Sequence, residues 1–210
     1  MLQITFADAD RFRDPARFSD AYARLSAARR ERVDRLCTPA GKRLSLAAGF
    51  LLAEGLDAAG VRGPDAEIAL GAYGKPYLPR RPELHFSLSH SGTRAMCVFA
   101  DRPVGCDIQH TAPRNLRIAR RFFSEAECAR IFSAETEAAQ QAMFFRIWAL
   151  KESFVKCIGL GFELPLDSFS ILPGEDGAIT LTQSADPGNF VLSEIETEGP
   201  YRCACCLRES

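Results

Sequence analysis

The centre of this 210-residue chain reads Val104-Gly105-Cys106-Asp107-Ile108-Gln109, which predicts a short β-strand. Side chains of a strand alternate between its two faces, so Asp107 and Gln109 share one face and Ile108 takes the other. An acidic residue placed here, just after Gly105, is a plausible ligand for a hard cation. An aspartate that ends a strand is more often a cap or turn residue, so both interpretations stay open on the strand alone.

Helices and strands are predicted on both sides of this strand. Before it, the patterns indicate strands at 1–10, 85–89 and 93–100 and helices at 15–36 and 40–60. After it, they indicate helices at 116–122 and 138–158 and strands at 169–172, 179–183, 190–196 and 201–207. Strands and helices mixed in this order predict an α+β fold of two lobes, residues 1–105 and 106–210.

Composition argues against several classes of protein. Hydrophobic residues make up 47% and charged residues 25% of the chain, which is typical of a globular domain. A formal net charge of −1 gives no overall field to attract nucleic acid or an anionic membrane. The first residues lack the basic start of a secretion signal, and no segment has the length of a membrane helix. The expectation is a soluble cytoplasmic protein that binds neither nucleic acid nor membrane.

Eight cysteines raise the question of a metal site or disulfides. Most are single residues inside apolar runs, where a reduced cysteine behaves as a small hydrophobe. The one cluster, Cys203-Ala204-Cys205-Cys206, lacks a second Cys or His pair at zinc-finger spacing. A terminal core strand is therefore the favoured interpretation, with a structural zinc as the alternative.

The long helix predicted at 138–158 has two distinct faces. One is an apolar stripe that predicts the side facing the core, formed by Met143, Ile147, Leu150, Phe154 and Ile158. The other holds Phe145, Trp148, Glu152 and Lys156. A solvated ion pair between Glu152 and Lys156 would explain the second face, but the chain's single Trp beside it favours a function. Lys151 lies at the margin of the stripe and must either reach solvent or find a buried partner.

Two further segments hold groups that suit an anion. The chain has only four lysines, and one of them lies in the turn Gly74-Lys75-Pro76. A compact ammonium group suits a phosphate oxygen in a tight site. The segment Phe86-Ser87-Leu88-Ser89-His90-Ser91-Gly92 offers hydroxyls and an imidazole that can donate to an anion. His90 could equally be an exposed histidine of a hairpin, so both segments stay ambiguous by themselves.

Taken together and in this order, these segments resemble the Sfp-type 4′-phosphopantetheinyl transferases. The resemblance spans roughly residues 25 to 172, and the Gly-Cys-Asp segment paired with the Trp-to-Lys helix is its most specific part. The matching segments are residues 73–76, 86–92, 104–109, 121–127, 148–156 and 164–169, together with Gly159 and Gly161.

The resemblance implies a fold and a reaction. The family fold is a pseudo-twofold pair of similar α+β lobes with coenzyme A bound in the cleft between them, and such internal duplication favours a monomer. The reaction transfers 4′-phosphopantetheine from coenzyme A to a serine of an apo acyl or peptidyl carrier protein and releases 3′,5′-ADP. Such carriers serve fatty-acid, polyketide or nonribosomal peptide biosynthesis. The family uses Mg²⁺, for which Mn²⁺ can substitute.

The resemblance also implies roles for individual residues. Asp107, Glu152 and Gln109 are expected at the metal ion, which binds the pyrophosphate of coenzyme A. Lys156 is expected to contact phosphate in the same site, and Glu152 to accept the serine proton. Asp107, Glu152 and Lys156 therefore form the expected catalytic set. Further contacts to coenzyme A are expected from Lys75, Ser89, His90, Arg29, Arg32 and Arg43.

One position departs from the family. Well-known members carry Glu where this chain has Gln109. The amide can still offer an oxygen, but the site loses a negative charge, so weaker metal binding is expected. The departure leaves one alternative open, a catalytically silent module that binds coenzyme A or a nucleotide. The intact Asp107, Glu152 and Lys156 count against that alternative.

Overall fold

The computed structural model describes residues 1–174 and 176–209. Strands of the first half are β1 (Leu2–Asp8), β2 (Ala69–Leu70), β3 (Pro76–Tyr77), β4 (His85–Ser91) and β5 (Arg94–Ala100). Its helices are α1 (Pro15–Ala23), α2 (Ala27–Asp34) and α3 (Pro39–Ala58), with 3₁₀ turns at Ala9–Arg13 and Gly63–Ala66. An antiparallel sheet forms in the order β1-β5-β4, and α3 packs against β5 in its core.

The second half adds five strands and three helices to the described chain. Its strands are β6 (Val104–His110), β7 (Ser170–Pro173), β8 (Ile179–Thr182), β9 (Phe190–Ile195) and β10 (Tyr201–Arg208). Its helices are α4 (Ala119–Phe122), α5 (Glu125–Phe132) and α6 (Glu137–Ile158), with 3₁₀ turns at Leu116–Ile118, Gly161–Glu163 and Leu166–Ser168. A second antiparallel sheet forms in the order β6-β10-β9, and α6 packs against it.

The two halves repeat one arrangement of elements. Each begins with a strand, continues through a long helix and a two-stranded antiparallel pair, and ends with two more strands. In each three-stranded sheet the last strand lies between the other two. The predicted α+β fold with two similar lobes is therefore confirmed. The lobe limits of 1–105 and 106–210 stay a prediction.

Each long helix approaches its sheet closely at a glycine. A Cβ at Gly105 of β6 would lie 2.0 Å from the carbonyl oxygen of Ser153 and 2.3 Å from the amide nitrogen of Cys157, both on α6. In the first half the glycine is on the helix, at Gly55, where a Cβ would lie 2.0 Å from the ring of Phe99 on β5. Backbone therefore packs on backbone at α6, whereas α3 packs on an aromatic side chain.

Three serines of β4 join the two sheets. β4 and β6 run in the same direction, and every second amide of β6 donates to a hydroxyl of β4. The three bonds are Cys106 N to Ser87 Oγ at 3.0 Å, Ile108 N to Ser89 Oγ at 3.2 Å and His110 N to Ser91 Oγ at 3.0 Å. The other edge of β6 pairs with β10, so these hydroxyls satisfy amides that the sheet leaves unpaired. We call Ser87, Ser89 and Ser91 the serine ladder.

Local hydrogen bonds explain where the predicted elements were wrong. The helix predicted at 15–36 is two helices, because the Ser26 side chain accepts a hydrogen bond from the Arg29 amide and starts α2. The strand predicted at 1–10 ends at Asp8, whose side chain accepts a hydrogen bond from the Asp10 amide and starts a 3₁₀ turn.

The core-facing stripe predicted for α6 is narrower than the buried surface. Phe145 and Lys151, outside the stripe, are fully buried, whereas Met143 and Ile158 within it are only half-buried. The reason is that α6 packs on the sheet with one side and on α5 with another. A helix packed on several sides has no single apolar face from which its burial could be read.

The C-terminal cysteines lie in the core, as the favoured interpretation predicts. Cys203, Cys205 and Cys206 are buried on β10. Within residues 1–174 and 176–209, no three or more His, Cys, Asp or Glu side chains are grouped so that they could hold a metal ion. The zinc alternative therefore gains no support. No helix in this part of the chain has both the length and the apolar character needed to cross a bilayer.

Candidate active site

A cavity of about 1030 Å³ is lined by residues from both halves of the chain. The first half contributes four of the predicted site residues and the second half two. They are Arg29, Arg32, Lys75, His90, Glu152 and Lys156. Trp148 also lines the cavity, and it is held there by Phe122, Phe123 and Phe144, with ring centroids 5.5 to 6.3 Å away. The single tryptophan is thus part of the cavity wall.

Asp107 lies on β6 behind this wall and is 2% exposed. Its Oδ1 accepts hydrogen bonds from Lys156 Nζ at 2.6 Å and from Ser89 Oγ at 2.7 Å. Its Oδ2 accepts one from Gln109 Nε2 at 2.8 Å. Strand alternation places Gln109 on the same face as Asp107, and the close packing of α6 on Gly105 brings Lys156 to it. A buried carboxylate is stable here because each oxygen has a donor.

Lys156 joins the helix to the strand. Besides Asp107, its Nζ donates to Ser89 Oγ and to the Cys106 carbonyl oxygen, both at 3.1 Å. Burial by itself would lower the pKa of Lys156, but the adjacent Asp107 carboxylate, assisted by Glu152, raises it above its usual value. The ammonium group therefore stays charged, and 31% of the side chain remains exposed towards the cavity.

Glu152 is half-buried in the cavity wall, one helical turn before Lys156. Its carboxylate accepts no hydrogen bond from residues 1–174 or 176–209, unlike the neighbouring Asp107. Burial raises the pKa of Glu152, and the negative charge of Asp107 raises it further, while Lys156 opposes the shift. The Glu152 carboxylate is therefore less favourable in its charged form than an exposed glutamate, and a proton or a further cation would stabilise it.

Gln109 presents its amide nitrogen to Asp107. An ionised glutamate at this position could only accept hydrogen bonds, so it could not make this contact. The amide side chain thus orients the Asp107 carboxylate and adds no negative charge. The carbonyl oxygen of the same side chain accepts no hydrogen bond within residues 1–174 and 176–209.

Three buried side-chain polar atoms have no hydrogen-bond partner in the described chain. They are Arg29 Nε, Arg43 Nε and Ser45 Oγ. Another nitrogen of the Arg29 guanidinium donates to the Ser45 carbonyl oxygen at 3.3 Å, which ties α2 to α3. Burial and then the charge of Arg32 lower the pKa of Arg29. Buried donors without partners in a positive environment are suited to an anion.

His90 stands at the border of this basic region. The side chain is exposed and lines the cavity. Desolvation against the wall lowers its pKa, and the charges of Arg32, Lys156 and Arg29 lower it further. An anion bound between these groups would stabilise the protonated imidazole.

Lys75 and Ser89 make contacts that the sequence did not suggest. Lys75 Nζ donates to the carbonyl oxygens of Val104 at 3.2 Å and Cys157 at 2.7 Å, and burial lowers the pKa of this lysine. Two of its three donors are therefore occupied within the protein. Ser89 is buried among the groups that hold Asp107 and is not part of the cavity lining. Arg43 is also absent from the lining, and a terminal nitrogen of its guanidinium lies 4.0 Å from Asp10 Oδ1.

The buried partner of Lys151 is Glu127. Lys151 Nζ donates to both Glu127 carboxylate oxygens, at 2.6 and 2.8 Å, and to the Phe169 carbonyl oxygen at 2.7 Å. Glu127 also accepts from the Ser124 and Ile171 amides. The pair fixes α5 and β7 to α6 and is fully buried. Ser124 and Glu127 also form a capping box at the start of α5, so the helix start and the buried ion pair share one carboxylate.

Three comparisons relate the chain to known proteins. Residues 103–206 match the family described as the 4′-phosphopantetheinyl transferase superfamily. The chain is 37% identical over 142 residues to the 4′-phosphopantetheinyl transferase Sfp of Bacillus subtilis strain 168. This alignment covers 68% of the chain and 63% of Sfp, so less than two thirds of that relative is spanned. A second 4′-phosphopantetheinyl transferase of Bacillus subtilis is 33% identical over 190 residues, covering 88% of this chain and 82% of that one.

Solved structures also match about half of the chain. One is a holo-(acyl-carrier-protein) synthase from Bacillus anthracis in complex with CoA (3′,5′-ADP), at 19% identity and a TM-score of 0.43. The superposition covers 51% of this chain and 96% of that one. Another is the holo-[acyl-carrier-protein] synthase of Thermotoga maritima, at 21% identity and a TM-score of 0.43, covering 51% of this chain and 62% of that chain.

Proposed function

Because the chain belongs to the 4′-phosphopantetheinyl transferase superfamily, we propose that it transfers 4′-phosphopantetheine from coenzyme A to a serine of an apo acyl or peptidyl carrier protein. The products are the holo carrier and 3′,5′-ADP. The observation that carries this proposal is the meeting of Asp107, Glu152 and Lys156 at the wall of a cavity between two lobes. We propose that the protein acts as a monomer in the cytoplasm.

The arrangement of carboxylates fits a magnesium ion. Asp107 and Glu152 are close enough for Asp107 to raise the pKa of Glu152, and a divalent cation would relieve that repulsion. Mg²⁺ takes oxygen ligands and typically uses one or two protein carboxylates, with substrate oxygens and water completing its shell. Asp107 and Glu152 would hold the ion, or Mn²⁺ in its place, with the Gln109 carbonyl oxygen as a third proposed ligand. When bound, the metal neutralises charge on the pyrophosphate and on the leaving group.

Glu152 is the group proposed to take the proton of the carrier serine. Its carboxylate lines the cavity and accepts no hydrogen bond from the described chain, so it is available to a hydroxyl. A carboxylate with a raised pKa is a stronger base than an ordinary glutamate. Lys156, charged and partly exposed, is proposed to bind a phosphate oxygen beside it.

The basic region of the first half is proposed to hold the nucleotide end of coenzyme A. Arg29, Arg32 and His90 line the cavity there, and the unpartnered Nε of Arg29 supplies a donor for a phosphate. The expected contact from Arg43, which is absent from the lining, stays a prediction. Lys75 retains one donor after its two bonds to carbonyl oxygens. The earlier assignment of Lys75 and Ser89 to this end stays a prediction.

Transfer to a carrier protein tests the proposal directly. The protein is incubated with coenzyme A, Mg²⁺ and a panel of apo carriers from fatty-acid, polyketide and peptide synthesis, and each carrier is weighed by mass spectrometry. A mass increase of one phosphopantetheine, dependent on the metal, is expected for at least one carrier. Binding of coenzyme A without any transfer would favour the catalytically silent module instead.

A further inference from the structure

Ser89 has a hydrogen-bonding pattern that fixes the direction of its hydroxyl proton. Its Oγ receives the Ile108 amide at 3.2 Å and the Lys156 ammonium at 3.1 Å, and both of these groups can only donate. The third contact is to Asp107 Oδ1 at 2.7 Å, an atom that can only accept. The hydroxyl proton therefore points at Asp107. The one donor and both acceptor positions of the hydroxyl are all used inside the protein.

The other members of the serine ladder lack these contacts. Ser87 receives the Cys106 amide and Ser91 the His110 amide, each at 3.0 Å. Ser87 lines the cavity, whereas Ser89 and Ser91 do not. In the described chain neither the Ser87 nor the Ser91 hydroxyl touches Asp107 or Lys156. The ladder thus contains one serine, Ser89, that is hydrogen-bonded to Asp107 and Lys156, and two serines that are not.

We infer that Ser89 is a positioning residue for the metal site, an inference that rests on the proposed function. Its hydroxyl binds both Asp107 Oδ1 and Lys156 Nζ, and the Ile108 amide fixes the hydroxyl where β4 lies beside β6. Asp107 Oδ1 is thereby kept in place from β4, while Gln109 holds Oδ2 from β6. The geometry of the carboxylate that receives the metal is set jointly by the two halves of the chain.

Loss of the hydroxyl leaves Asp107 Oδ1 with Lys156 as its only donor in the described chain. The carboxylate is then free to rotate towards the lysine, and each metal-binding event must reorient it. Partners that orient a metal ligand typically contribute 10–100-fold to metal affinity. Ser89→Ala is therefore expected to weaken metal binding about tenfold.

The test measures Mn²⁺ binding by electron paramagnetic resonance, with coenzyme A present and no carrier protein, so that turnover cannot occur. Ser89→Ala is compared with Ser91→Ala, which removes an equivalent bond of the ladder and lies outside the cavity lining. Both variants are expected to melt a few degrees lower than the parent, roughly 2–4 °C for a loss of about 1 kcal/mol. Only Ser89→Ala is expected to raise the Mn²⁺ dissociation constant, by about tenfold.

Each contrary result has a distinct meaning. Equal weakening of Mn²⁺ binding in both variants, or none in Ser89→Ala, overturns the inference and leaves the proposed function intact. Weaker binding of coenzyme A in metal-free buffer, with unchanged Mn²⁺ affinity, would assign the Ser89 hydroxyl to the nucleotide and also overturn it. A parent protein that does not bind Mn²⁺ with coenzyme A overturns the metal site itself. Should Ser89→Ala not fold, Ser89→Cys keeps the size with a weak donor and is judged by the same criteria.

Discussion

The two halves of the molecule share an order of elements but use their long helices differently. In the second half, α6 packs backbone to backbone on β6 at Gly105. In the first half, α3 carries the glycine itself and packs at Gly55 on the ring of Phe99 from β5, the central strand. The closest approach of the helix is therefore to an edge strand in the second half and to the central strand in the first half.

The difference determines which chemistry each half can supply. Close contact with β6 lets Lys156 reach Asp107 and brings Glu152 near both. In the first half, α3 instead meets α2, where Arg29 contacts the Ser45 carbonyl oxygen. One repeated arrangement thus yields an acidic centre in one half and a basic surface in the other. The cavity that we propose for coenzyme A is lined by both.

The largest expected effect comes from removing the charge of Glu152. Glu152→Gln keeps the size of the side chain but cannot accept a proton, and it is expected to lower kcat by about 10²–10⁴-fold. The matched control is Glu54→Gln on α3, an exposed glutamate paired with Arg24 at 3.3 Å, which should leave kcat unchanged. Steady-state transfer to an apo carrier measures both. Near-parental turnover of Glu152→Gln would remove this residue from the mechanism.

The pH dependence of the reaction gives a second measure of Glu152. Its raised pKa means that the active, deprotonated form is lost as the pH falls, at a pH above that of an ordinary glutamate. Bound Mg²⁺ favours the carboxylate, so the acid limb of kcat/KM should move to lower pH as the metal concentration rises. An acid limb that does not respond to metal would place Glu152 away from the ion.

Substitution of the two glycines, Gly105 and Gly55, tests the comparison of helix packing. Gly105→Ala places a Cβ against the backbone of α6, which cannot move without the helix, so we expect a loss of about 3 kcal/mol of unfolding free energy or more. Gly55→Ala meets the edge of a ring, which can shift, and about 1–3 kcal/mol is expected. Urea unfolding measures both. A larger loss at Gly55 would show that the ring is held more firmly than the backbone.

Sequence patterns predicted the elements that carry the polar site residues of the second half, but not the long-range contacts between them. The Asp107 strand and the helix bearing Glu152 and Lys156 were predicted, because alternation and helical spacing are local properties. The ion pair of Lys151 with Glu127 joins residues 24 positions apart, and only the demand for some partner could be read from the chain. Long-range packing decides such pairings.

The serine ladder shows a different limit. Its alternating hydroxyls were visible, and they were interpreted as donors to an anion. In the structure they accept the unpaired amides of β6, a role that depends on which strand edge lies beside β4. A local sequence pattern does not show which strand of another sheet will lie beside it. The same limit applies to Lys75, whose carbonyl partners come from β6 and α6.

The nucleotide end of the cavity offers a smaller effect. His90→Ala is expected to weaken coenzyme A about tenfold while leaving 3′-dephospho-coenzyme A nearly unchanged, since a charge-assisted contact to phosphate is lost. Lys75→Met should change the ratio of the two affinities less, because two of the three lysine donors already bind carbonyl oxygens. Calorimetric titration with both ligands measures the ratio. Equal losses for the two ligands would move the 3′-phosphate away from these residues.

The pH dependence of the same binding separates His90 from Lys75. The lowered pKa of His90 keeps the imidazole neutral until the pH falls through it, and only the protonated form attracts phosphate. Affinity for coenzyme A should therefore rise towards lower pH in the parent and in Lys75→Met. His90→Ala should lose this rise. A rise that persists in His90→Ala would assign it to another group.

The smallest expected effect concerns the arginines that follow β6. Arg114, Arg117, Arg120 and Arg121 are exposed, and three of them lie over aromatic rings of the same half, at 5.1 to 5.9 Å. The Arg117 side chain has no ring or carboxylate partner among residues 1–174 and 176–209. We interpret this surface as a docking site for an acidic carrier protein, although a solvated basic face is the ordinary explanation of such a run.

Charge reversal at Arg117 decides between those two interpretations. Arg117→Glu should raise the KM for the carrier a few-fold, more at low salt than at high salt, because rim charges act mainly on the rate of encounter. Arg17→Glu on α1, exposed and in the other half, makes the same change in net charge and should leave that KM unchanged. The KM for coenzyme A should hold in both variants. If Arg17→Glu raises the KM for the carrier equally, the carrier responds to the total charge of the protein. If Arg117→Glu raises the KM values for the carrier and for coenzyme A together, Arg117 supports the active site and the carrier docks elsewhere.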